Sequence, residues 1–229
     1  MPTFAVLAML GLLAALGLCE RTAKPAGLLP QRLLDAAQFA AVAAFVFTRL
    51  LLIAANGRAF LAVPLFVLVF PSLTPLGMLL TTLATILWLR FKHTSISNVL
   101  DAWAPCASLL WCFLALGHFA EGSDPGLPTS LPWAAHLPLE RFAQQPVALY
   151  VALAAASLTV LLWWILRRPH RPGLVASIGL ILAGVTQFLL SFLRQPGLQL
   201  ARLDLLQWTA LVLLASGGVL LVRANFHAD

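Results

Sequence analysis

Val147-Ala-Leu-Tyr-Val-Ala-Leu-Ala-Ala-Ala-Ser-Leu-Thr-Val-Leu-Leu-Trp-Trp-Ile-Leu166 decides what kind of protein this is. It runs for twenty residues without a charge, between Pro146 and the pair Arg167-Arg168. At 1.5 Å per residue, about 20 residues cross the roughly 30 Å hydrocarbon layer of a bilayer. Inside that layer the backbone N–H and C=O groups find no water, so the segment must pair them itself and be a helix.

The rest of the chain repeats the pattern. Of its 229 residues 61% are hydrophobic and 10% charged, where a soluble domain carries about a quarter charged residues. Six further apolar stretches come close to spanning length, at 2–19, 36–55, 70–89, 99–119, 173–193 and 205–222. With 147–166 they give an all-α bundle of seven transmembrane helices in a single domain, 1–229. The run 59–69 is too short to cross and contains Pro64, so it reads as re-entrant or interfacial. The first stretch lacks the basic start and small-residue cleavage site of a signal peptide and is read as a span.

The net charge of +6 sits in short loops between apolar stretches. That is a membrane pattern and not the clustered patch that nucleic acid requires. Arg21, Lys24, Arg32, Arg90, Lys92, Arg167, Arg168, Arg171 and Arg223 fall on one side of a seven-span arrangement. Arg58, Arg141, Arg194 and Arg202 fall on the other. The excess marks the cytoplasmic side and puts the N-terminus outside, the C-terminus inside. The long connection 120–146, with five prolines, is then an outer loop, and Trp133 is placed to anchor it at the interface. Cys19, Cys106 and Cys112 read as small buried hydrophobes and not as a disulfide framework.

Polar groups at membrane depth are expensive and narrow the search for a site. Arg49 lies within a span, either as a cation for a lipid phosphate or as a snorkelling or internally paired side chain. Asp101 opens a span, where a carboxylate in the first turn complements the helix dipole. Gln38, Thr81, Thr82, Gln187 and Ser191 are expected to bridge helices. His118, Glu121 and Asp124 recur every three residues, but Gly122 and Pro125 are expected to end the helix among them. A metal site there is disfavoured, and no cofactor is expected beyond a bound phospholipid.

From Asp101 onward the landmarks resemble the prolipoprotein diacylglyceryl transferase family. Asp101-Ala-Trp-Ala-Pro105 resembles D-x-x-A-P. Leu114-Ala-Leu-Gly-His-Phe-Ala-Glu-Gly-Ser-Asp-Pro-Gly126 resembles the signature G-R-x-G-N-F-x-N-G-E-x-x-G. Pro128-Thr-Ser-Leu-Pro-Trp133 is similar to P-T-x-x-P-W, Gln145-Pro-Val-Ala-Leu-Tyr150 to H-P-x-Q-L-Y, and Leu190-Ser-Phe-Leu-Arg-Gln-Pro196 to E-F-x-R-x-P. Family members move a diacylglyceryl group from phosphatidylglycerol to a lipobox cysteine thiol, and the resemblance implies a multi-pass protein of a bacterial inner membrane.

The family's charged residues are missing at the matching positions. Its signature arginine, asparagine and glutamate are Ala115, His118 and Ser123 here. Its other histidines are Thr81 and Gln145, and its sixth-helix arginine and glutamate are Gln187 and Ser191. Losing one donor to a developing charge costs about 10²–10³ in rate. The leading expectation is therefore a catalytically degenerate scaffold that binds a phosphatidylglycerol-like lipid or serves as a subunit of a membrane complex. Arg49 and Arg194 would contact phosphate, and Tyr150 and Trp133 would shape the lipid opening. A diverged transferase with His118 as base stays open, as does a transporter.

Overall fold

Pro, Gly and the basic pairs punctuate the chain, and the helices run between them. In a computed structural model, the described residues are 3–56, 74–135, 142–195, 199–200 and 202–226. They form α1 (Thr3–Ala23), α2 (Pro30–Ala55), α3 (Pro75–Phe91), α4 (Ile96–Glu121), α5 (Val147–Leu166), α6 (Leu174–Ser191) and α7 (Leu205–Phe226). The all-helical expectation needs one small correction. A two-stranded antiparallel ribbon, β1 (Gln199–Leu200) with β2 (Leu203–Asp204), precedes α7.

Six of these helices are long and apolar enough to cross a membrane. The expected span 70–89 is represented by α3, which has 17 residues. Residues 57–73, including the 59–69 run, lie outside the described residues. Several helices outrun their apolar stretches. α2 begins at Pro30 rather than 36, and α4 at Ile96 rather than 99. A helix continues while its backbone bonds continue, whereas hydropathy marks only the part that sits in hydrocarbon.

The chain forms two compact units, residues Leu29–Ile96 and the remainder. In the first, α2 packs on α3. Phe39 stacks on Trp88 with ring centroids 5.1 Å apart. Thr74 caps α3, its hydroxyl accepting from the Gly77 N–H at 3.2 Å, with Pro75 in the first turn where a missing N–H costs nothing. Among the described residues, Thr81 and Thr82 make no bond between helices. Their hydroxyls donate to the carbonyls of Gly77 and Met78 on their own helix, each at 2.8 Å.

The second unit holds α1 and α4–α7. Ala115, Val147, Val151 and Ala152 are buried together, with Trp111, Leu116 and Leu193 packed around them. α6 and α7 touch almost backbone to backbone. A Cβ on Gly217 would stand 3.0 Å from the Ser177 carbonyl oxygen, and one on Gly184 2.9 Å from that of Ala210. Small residues at such seams let dispersion and packing hold helices together where lipid removes the hydrophobic drive. Ser191, expected as a bridge, bonds back to the Phe188 carbonyl at 2.6 Å. Cys19 and Cys106 are free, buried thiols with their sulfurs 3.3 Å apart.

Asp101 corrects its expected role. It is not in the first turn of its own helix, which starts five residues earlier at Ile96. It lies 1% exposed and caps α6 instead. Its Oδ2 accepts from the Gly173 N–H at 2.6 Å and its Oδ1 from the Ala176 N–H at 2.7 Å. Gly173 stands at the N-cap with φ +91° and has no side chain to cap with. One carboxylate from α4 thus supplies both bonds of a capping box.

Candidate functional site at the arm end of the helices

Three backbone segments meet where α4 and α6 end and α5 begins. α4 stops at Glu121, and Gly122, with φ +64°, turns the chain. The segment after it then lies between two others. Leu127 N–H donates to the Leu193 carbonyl at 2.8 Å, and Gln145 N–H donates to the Leu127 carbonyl at 3.0 Å. Further along, Ala135 and Gln144 exchange two backbone bonds of 2.9 Å each. The expected long loop is therefore an ordered arm over its described part, while His136, Glu140 and Arg141 lie outside the described residues.

The arm brings two expected site residues into one place. Trp133, 60% exposed, donates its indole N–H to the Tyr150 hydroxyl at 2.8 Å. Indole and phenol with wet tips suit an interface. Arg194 is held by the arm too, and its Nη2 lies 2.8 Å from Oδ2 of Asp124. Both side chains are mostly buried, 15% and 19% exposed, so this is not a loose surface pair.

His118, Glu121 and Asp124 do not converge on one ligand. His118 Nδ1 shares a hydrogen with the Ser123 hydroxyl at 2.8 Å, and its ring lies 4.8 Å from that of Phe4. Glu121 accepts from the Phe4 N–H at 3.1 Å. A carboxylate at the end of α4 therefore caps the start of α1, where the positive end of that helix favours it. His118 and Asp124 line one depression with Gln144 and Gln145, but its volume is about 20 Å³. That is space for a single water. Arg49 belongs to the other compact unit. Its guanidinium carbon sits 4.9 Å from the Phe45 ring centroid, a cation–π contact within its own helix.

With this geometry in view, the comparisons decide the family. A family model described as prolipoprotein diacylglyceryl transferase matches residues 1–223. The chain belongs to that family. A phosphatidylglycerol–prolipoprotein diacylglyceryl transferase of Polynucleobacter asymbioticus is 34% identical over 156 residues, 65% of this chain and 59% of that protein. Proteins of the same name from Idiomarina loihiensis and Bordetella avium are each 32% identical, over 155 and 153 residues. These matches cover 58% of each of those two relatives, so the chain spans under two thirds of the length of the proteins it resembles.

Family membership gives the surviving signature glycines a physical reading. Gly122 supplies the left-handed turn that ends α4. Gly126 lets the Gln145 carbonyl approach, and a Cβ there would overlap that oxygen. Sequence reading found Gly122 as a terminator. It missed Asp124 as the partner of Arg194, because 70 residues separate them and nothing in the intervening chain marks the pairing.

Proposed function

We propose that this chain is a lipid-holding member of the transferase family that does not carry out the transfer, in a bacterial inner membrane with seven spans and the N-terminus outside. One observation carries the reading. The charged and titratable groups described in the signature stretch are already engaged within the protein: Glu121 on α1, Asp124 on Arg194 and His118 on Ser123. A transfer site must keep a cation for the phosphate and a base for the thiol. Here the nearest cation is paired with a carboxylate through Nη2 and the nearest base is turned to a serine. Arg194 keeps an Nε–H that no described residue accepts and is the proposed phosphate contact, with Trp133 and Tyr150 as the edge of a lipid opening; Arg49, in the other unit, is proposed as a phosphate contact of its own.

The test is transfer itself. Purified chain is incubated with phosphatidylglycerol and a peptide carrying a lipobox cysteine, beside the Polynucleobacter relative, and the mass of the peptide is followed. The expected rate is at least about 10⁴-fold below the relative's, the cost of two lost charge-stabilising groups. A rate within tenfold of the relative would sink the proposal in favour of a diverged transferase. That alternative has one observation on its side: His118 and Asp124 line the same depression, and Arg194 is bonded to Asp124.

Lipid holding is tested separately by mass spectrometry of the chain purified in mild detergent. Phosphatidylglycerol is expected to stay bound. Asp124→Asn, which releases the Arg194 guanidinium, is expected to raise its retention several-fold, and Arg194→Ala to lower it. A stoichiometric protein that co-purifies in place of lipid would shift the reading to a structural subunit.

A further inference from the structure

A cavity of about 330 Å³ opens among α4, α5, α6 and α7, away from the arm. Its wall on α4 includes Trp103, Ala107 and Trp111, which recur at four-residue spacing and share a face. Gly179 and Ala183 of α6 stand opposite and are too small to fill the space. None of the lining residues is charged.

Two of them are nonetheless polar and unsatisfied. The Ser108 hydroxyl and the Trp103 indole N–H are buried with no hydrogen-bond partner among the described residues, and Ser108 is 5% exposed. This departs from the habit of the chain. Ser157 and Thr159, on the neighbouring α5, donate to the carbonyls of Leu153 and Ala155 at 2.9 and 2.8 Å. Buried polar groups without partners are rare, and each asks for an explanation. Ser108 is the thirteenth of 26 residues in α4, midway along that helix.

We propose that this cavity binds a neutral, membrane-soluble carbonyl compound, whose oxygen accepts from the Ser108 hydroxyl. An uncharged lining does not suit a phosphate, and a buried hydroxyl donor without an acceptor partner suits a carbonyl. The volume is roughly twice that of a cavity that holds benzene, which fits a two-ring or short-chain ketone. An adjoining cavity of about 280 Å³ shares Trp111, Ala183 and Leu213, and gives a longer substituent room to lie. The site is separate from the arm end, so it stands whether or not the chain transfers lipid.

The test uses two photoreactive probes on the protein in phosphatidylcholine nanodiscs: benzophenone, which carries the acceptor, and an alkyl diazirine, which does not. Both are expected to label the Trp103–Trp111 stretch. Ser108→Ala should cut benzophenone labelling there about fivefold, the worth of one hydrogen bond, and leave diazirine labelling unchanged. Ala107→Leu, which fills the cavity, should remove both. Benzophenone labelling spread evenly over the lipid-facing helices would overturn the proposal. So would labelling in Ser108→Ala equal to the parent, with the thermal midpoint of that variant confirming that it is folded; the cavity would then take only a bilayer acyl chain.

Discussion

Asp101→Ala is expected to be among the most damaging single substitutions in this chain. The side chain is buried, and its two oxygens hold the Gly173 and Ala176 N–H groups at 2.6 and 2.7 Å. Without it both donors lie inside the bundle with no partner, at about 1–3 kcal/mol each. Gly173 offers no side chain to take over, and its φ of +91° keeps most substitutes out. The total, of order 2–6 kcal/mol, corresponds to roughly 10 °C in thermal midpoint for a chain of this size. Tryptophan fluorescence of the detergent-purified protein reports it directly. Asp101→Asn keeps one acceptor and should fall between. His170→Ala should do little, because its Nε2 stands 3.8 Å from Asp101, beyond hydrogen-bond reach. An unshifted midpoint in Asp101→Ala would show that the α6 start is held by something else.

That carboxylate also marks where sequence reading stops. Hydropathy located the helices because lipid imposes one rule on every residue of a span. Val147–Leu166 was legible to the residue, since Pro146 and Arg167 punctuate an uninterrupted apolar run. The start of α2 was not, because Pro30-Gln-Arg-Leu-Leu-Asp is helical yet too polar to score as membrane. Polar partners were the least legible feature. Asp101 and Glu121 each cap a neighbouring helix rather than their own, one on α6 and one on α1. Local spacing describes what a residue does for its own helix and carries no signal for a bond made across the bundle.

The candidate site shows the same division. Arg194, Trp133 and Tyr150 could be chosen from the order of landmarks, and the structure joins Trp133 to Tyr150 at 2.8 Å. Arg194 meets Asp124 because α5 and α6 carry the chain away and back over the 70 residues between them, a return that no local pattern marks. The family pattern points to these positions, and the geometry shows Glu121 capping α1 and Asp124 paired with Arg194.

Gly126→Ala should separate backbone need from chemistry at that arm. A Cβ on Gly126 would overlap the Gln145 carbonyl oxygen and come within 3.0 Å of a Val147 methyl, and neither is the end of a flexible side chain. Val147 is fully buried at the start of α5, so it has nowhere to go. The arm must instead lift, which breaks the Leu127–Leu193 and Gln145–Leu127 backbone bonds. Two bonds at about 0.5–1.5 kcal/mol and overpacking of about 1–3 kcal/mol give a loss of order 2–6 kcal/mol, local to the arm. Amide exchange at Leu127 and Gln145 is the fitting measurement and should accelerate by about 100-fold or more. Gly218→Ala is the matched control. Nothing lies within 4 Å of a Cβ there, and alanine favours the helix by about 1 kcal/mol, so protection should hold or rise. If Leu127 exchanges equally slowly in Gly126→Ala and in the parent, the close approach of Gln145 is not what the glycine serves. The clamp on Arg194 would then have to be explained from the Asp124 pair alone.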